Sequence, residues 1–148
     1  MPTWLIFALG TVCCWGAYGT AIHKSNALLA NPLKTALLVG VAYFFLAVLI
    51  PSLIMKSAGA DWSFPGKGMM FGLLAGSLGA IGAICVIYSM KSGGNPQYVM
   101  PIIFGCAPLV NVIVSSIAHP PKAVNPIFWL GVLVLASGAG MVLYFQPK

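Results

Sequence analysis

The chain has 148 residues, of which 60% are hydrophobic and only 5% charged, with a formal net charge of +6 and Asp61 as its single carboxylate. A soluble domain carries roughly 25% charged residues, so this chain cannot clothe a water-facing surface, and lipid is its expected solvent. The positive balance does not point to nucleic acid: the lysines stand singly at the ends of apolar runs, where they snorkel to headgroups, and no basic run follows a phosphate track.

The first apolar run covers about 3–22, after Met1-Pro2-Thr3-Trp4 and before the polar stretch His23-Lys24-Ser25-Asn26. It lacks a basic leading region and is of spanning length, so it reads as a retained helix and not as a secretory signal. The second run, about 33–55, starts after Asn31-Pro32 and stops at Lys56. The third, about 68–90, lies between Lys67 and Lys91. The fourth, about 97–118, ends before His119-Pro120-Pro121-Lys122, and the fifth, about 126–145, ends at Gln146-Pro147-Lys148. Each matches the roughly 20 residues that cross a hydrocarbon core of about 30 Å as a helix. Strands are excluded as spans, because an open sheet would leave its edge groups unpaired in lipid and the runs show no alternation. The expected fold is all-α: one polytopic membrane domain over 1–148, a bundle of five transmembrane helices.

The connections look interfacial. Asp61-Trp62-Ser63-Phe64-Pro65-Gly66 is rich in turn formers and carries two aromatics suited to the headgroup level, and Trp4, Phe128 and Trp129 stand at span ends. This topology puts Lys56, Lys67 and Lys122 on one side and Lys24, Lys34, Lys91 and Lys148 on the other. Orientation follows an excess of lysine and arginine on the cytoplasmic side, so a near-even split sets almost no preference.

Packing signals are strongest in the third run. Gly72, Ala75, Gly76, Gly79, Ala80 and Ala83 share one helical face, and small residues on one stripe let a second backbone approach. A shorter stripe passes through Gly10, Cys13, Cys14 and Ala17, and the fifth run holds Gly131 and the cluster Ala136 to Gly140. In the fourth run Pro101 and Pro108 lie on one face with Gly105 between them and Asn111 beyond. Each proline removes a backbone donor and frees a carbonyl, which serves either a structural kink or the lining of a cavity.

Polar side chains inside the runs are the functional candidates: Tyr18, Tyr43, Tyr88, Tyr98, Asn111 and the His23-Lys24 pair. Trp15 with Tyr18 offers an aromatic wall or plain packing, and Asn111 offers either a substrate contact or a bond between helices. His23 is a pH sensor or a headgroup-level residue. No span contains Asp or Glu, so none supplies a proton relay or a cation site. Cys13, Cys14, Cys85 and Cys106 sit in apolar runs without metal-ligand spacing, and no catalytic set or phosphate loop is present. No metal, cofactor, nucleic-acid partner or enzymatic activity is expected.

Trp15-Gly16-Ala17-Tyr18-Gly19 followed by His23-Lys24 resembles the first helix of the EamA-like branch of the drug/metabolite transporter superfamily. Tyr88-Ser89-Met90-Lys91-Ser92-Gly93-Gly94, leading through Val99-Met100-Pro101 to Pro108, looks like that family's third-to-fourth helix passage, and Gly131 to Gly138 like its last helix. The resemblance implies ten helices in two inverted five-helix repeats around a substrate cavity, of which this sequence supplies one. It implies a half-size transporter of a small metabolite, in a bacterial inner membrane. A homodimer, antiparallel where the chain inserts both ways, or a paralogous half would complete it. Trp15, Tyr18, Tyr88, Pro108 and Asn111 would face the substrate. The small multidrug resistance proteins, four-helix relatives with a membrane Glu, match less well, which argues against proton-coupled drug export. The rival expectation is a non-transporting membrane subunit or scaffold that offers its small-residue faces to a larger complex.

Overall fold

A computed structural model describes residues 2–118 and 125–146; His119, the two following prolines, Lys122 and Lys148 lie outside them. The described residues are helical, without strands: α1 (Thr3–Leu29), α2 (Pro32–Tyr43), a π-helical turn (Phe44–Leu49), α3 (Ile50–Ser57), α4 (Gly66–Lys91), α5 (Pro96–Ala118) and α6 (Pro126–Tyr144). α2, the π turn and α3 run on as one rod, so five helices are long and apolar enough to cross a membrane, with 27, 26, 26, 23 and 19 residues.

Three of the five begin with the same device. Asn31, Asn95 and Asn125 each precede a proline, and each side-chain Oδ1 accepts a hydrogen bond of 2.9 Å from the backbone N–H two residues on. The asparagine satisfies an orphan donor of the first turn, and the proline has no N–H to lose and a φ already helical. The long connections end differently: α3 is followed by Gly59 at φ +60° and α4 by Gly93 at φ +100°, left-handed values that glycine adopts without a Cβ penalty.

Two details depart from the sequence expectation. The first helix does not stop near residue 22 but continues to Leu29. Ser25 and Asn26 fail to end it because neighbouring helices satisfy their side chains: Ser25 Oγ meets Thr35 Oγ1 at 3.0 Å, and Asn26 Nδ2 donates to the Ile87 carbonyl at 2.9 Å. Ala30, at φ +54°, then turns the chain. The second departure is the π turn, which precedes Pro51. Pro51 lacks an N–H and its ring crowds the carbonyl of Ala47, four residues back; the backbone widens one turn, with the Ile50 N–H reaching the Phe45 carbonyl.

The chain divides into two compact units. Unit 1 comprises Met1–Gly19 and Gly94–Lys148, and unit 2 comprises Thr20–Gly93. In unit 1 the buried residues Val99, Met100 and Ala139 mark the packing of α1, α5 and α6. In unit 2, Ile22, Asn26, Thr35, Ala83, Ile87 and Met90 are buried where the end of α1, the start of α2 and the last turns of α4 meet. Most of the remaining helix surface is exposed and apolar, which is compatible with an integral membrane protein.

Candidate functional site

Within unit 1, α1 and α5 pack antiparallel and are tightest at Gly19. A Cβ built there would collide with Met100 Cγ and lie 2.6 Å from its Sδ, so only hydrogen lets the two helices meet. One turn away the Trp15 and Phe104 rings lie 6.0 Å apart at 32°. This register sets Thr11 level with Pro108, and there the contact opens: Trp15 is 56% exposed, and Thr11, Pro108 and Asn111 are exposed. The contact is thus closed at Gly19 and Met100, with the Trp15–Phe104 pair one turn out and exposed residues beyond it. On an adjoining face α5 is braced by α6, where a Cβ on Gly105 would stand 2.7 Å from the Cβ of Ala139.

The polar equipment along this exposed stretch is sparse and uncharged. Pro108 has no N–H, so the Phe104 carbonyl loses its donor four residues on. α5 nevertheless stays helical from Pro96 to Ala118 through both prolines. The Thr11 hydroxyl donates to the Phe7 carbonyl at 3.0 Å, which keeps its oxygen as an acceptor only. Asn111 makes no hydrogen bond among the described residues, so its amide presents two donors and an acceptor outward. Such a set can orient a neutral solute with a flat apolar face; it holds no group for proton transfer, and no metal-binding cluster exists among the described residues.

Four of the five residues expected to face a substrate, Trp15, Tyr18, Pro108 and Asn111, belong to unit 1, with Tyr18 half-buried beside Gly19. Tyr88 belongs to unit 2, near the end of α4, and is 43% exposed. Of the small-residue stripe on α4, only Ala83 is buried; Gly72, Ala75, Gly76, Gly79 and Ala80 are exposed, with open space where each glycine's Cβ would be. His23 and Lys24 lie inside α1, exposed, and do not form a helix end. Cys13, Cys14, Cys85 and Cys106 are all free thiols.

Sequence reasoning passed over Phe104, Met100 and the polar knot of unit 2. There Thr35 is 1% exposed and Asn26 6%, and Asn26 Oδ1 has no partner among the described residues. The spacing of Ile22 and Asn26, one turn apart on the face that Ile87 covers, was the available signal. On the connection before α4, Ser63 holds Asp61: its hydroxyl first, then its backbone N–H at 3.0 Å and the Trp62 backbone, keep the carboxyl below its ordinary range.

Comparison with protein-family models, with curated proteins and with solved structures finds no match to this chain.

Proposed function

We propose that the chain is an integral protein of a bacterial inner membrane and one half of a transporter for a small, uncharged metabolite, completed by an inverted second copy or a paralogous half. The observation that carries this reading is Asn111. It lies in the apolar interior of α5, exposed and without a partner among the described residues, on the same face as the Phe104 carbonyl that Pro108 frees, two turns further on. Facing hydrocarbon, an unpaired amide costs roughly 2–7 kcal/mol. It is stable at that depth beside water, a solute or another chain, and a cavity shared between two halves provides all three. The resemblance of the Trp15 to Gly19 segment to EamA-like transporters supports the same assignment, as does the near-even division of lysines for dual insertion. The absence of Asp and Glu from every apolar run favours facilitated diffusion or exchange over proton antiport.

The test is solute flux into proteoliposomes with and without a pH gradient. Uncoupled uptake that Asn111→Leu abolishes supports the proposal; uptake that strictly requires the gradient refutes the uncoupled form. Single cysteines at positions 67 and 91, labelled from either side, read orientation, and labelling of each from both sides is expected for an inverted pair.

The bare stripe from Gly72 to Ala80 favours a second reading, a subunit or scaffold whose α4 docks a larger membrane complex. Water-accessible labelling around Pro108 supports transport, and a Pro108 face that excludes water supports the subunit.

A further inference from the structure

Unit 2 gathers positive charge at one end, and no acidic side chain among the described residues neutralises it there. The Ser25–Thr35 and Asn26–Ile87 hydrogen bonds lock the end of α1, the start of α2 and the last turns of α4 against one another. Charges on those turns are therefore held in place. Lys24 precedes Ser25, Lys34 precedes Thr35, and Lys91 lies one turn past Ile87; all three are exposed, with His23 beside Lys24. The only carboxylate, Asp61, follows α3, beyond the far end of the continuous rod Pro32–Ser57, which at 1.5 Å per residue is about 39 Å long.

From the same end an apolar trough of about 750 Å³ runs along α2, lined by Leu33, Leu37, Gly40, Val41, Phe44 and Phe45 among others. These residues share one helical face, and Lys34 sits on its flank, three residues before Leu37 and seven before Val41. Gly40 deepens the trough, with open space where its Cβ would be. Phe44 and Phe45, in edge contact at 5.8 Å, close the end away from Lys34. The rise from Leu33 to Phe45 is about 18 Å, and half of a 30 Å hydrocarbon core is about 15 Å. The trough is thus one leaflet long, with a cationic mouth at headgroup level.

We propose that this face holds an anionic phospholipid, its phosphate at Lys34 with Lys24 and Lys91 at the same end, and one acyl chain along Leu33 to Phe45. Charge decides between this occupant and a helix of a second copy. A second copy carries +6 itself, and its one acidic side chain, Asp61, stands between Lys56 and Lys67, so even inverted it brings more positive than negative charge to the three clustered lysines. A phosphate brings negative charge, and each lysine near a surface raises the occupancy of an anionic lipid about fivefold. The proposal rests on the membrane-spanning part of the reading above and not on transport.

The full-length protein in phosphatidylcholine vesicles is irradiated with trace phosphatidylglycerol or phosphatidylcholine, each carrying a diazirine at its acyl terminus, and the adducts are mapped. Phosphatidylglycerol adducts are expected to concentrate on Gly40 to Phe45 over phosphatidylcholine, by about fivefold for each lysine that reaches the phosphate. Lys34→Gln should lower that preference about fivefold, whereas Lys67→Gln, at the other end of the unit, should leave it intact. Gly40→Trp, which fills the trough, should remove adducts of both. Equal labelling by the two lipids in the unaltered protein, or a preference that Lys34→Gln leaves unchanged, overturns the site, as do copy-to-copy cross-links along α2. A lack of adducts on every span overturns membrane insertion instead, and loss of flux with the lipid preference intact overturns only transport.

Discussion

Replacing Gly105 by alanine puts a methyl 2.7 Å from the Cβ of Ala139, a collision that no rotamer relieves. Both carbons are fixed to their backbones, so α5 and α6 must part by roughly 1 Å to regain an ordinary contact of about 3.5–4.0 Å. Overpacking of this kind costs about 1–3 kcal/mol. The alanine also gains up to about 1 kcal/mol of helix propensity over glycine, which blurs the raw change. Gly138→Ala isolates that gain, because Gly138 lies in the same helix pair with open space at its Cβ. Gly105→Ala should therefore be less stable than Gly138→Ala by about 2 kcal/mol, read as the shift in midpoint of an SDS titration monitored by tryptophan fluorescence. Gly19→Ala belongs between them: it meets Met100 Cγ and, at 2.6 Å, Sδ, but a thioether with three rotatable bonds can swing aside. Equal midpoints for Gly105→Ala and Gly138→Ala would refute the claim that α5 and α6 are held by backbone proximity.

At the knot of unit 2, Asn26→Ala should cost about 1–3 kcal/mol in the same titration, through a lost hydrogen bond and a cavity, while Asn26→Leu should recover most of it. The leucine fills the volume and removes the unpartnered Oδ1 with the donor, so a leucine variant as weak as the alanine would contradict this account. Ser25→Ala and Thr35→Ala should couple in a double-mutant cycle by about 0.6 kcal/mol. A coupling of zero would mean that the 3.0 Å hydroxyl pair is energetically empty. Asp61 has a depressed folded pKa, so its hold on the 61–63 turn is complete above the ordinary 3.8 and is lost as pH falls through the lower folded value. The Ser63 amide resonance should report a midpoint below 3.8 that disappears in Asp61→Asn; a midpoint at or above 3.8 would be the contrary result.

Hydropathy alone determined the five long apolar helices, because a segment that cannot hydrate its backbone must pair every N–H with its own C=O. It also determined most of their ends, where Asn-Pro starts and lysine stops are local signals. Contacts between helices were not legible in the same way. Asn26 reads as a polar break until the Ile87 carbonyl, distant in sequence, takes its amide, and so α1 extends to Leu29. The glycines of α4 form the most conspicuous stripe in the sequence and meet nothing among the described residues, whereas Gly19 and Gly105, isolated in sequence, are where helices touch. Spacing along one helix says which residues share a face. Which face meets a neighbour depends on the rotation and register of two helices at once, and only the tertiary structure supplies both.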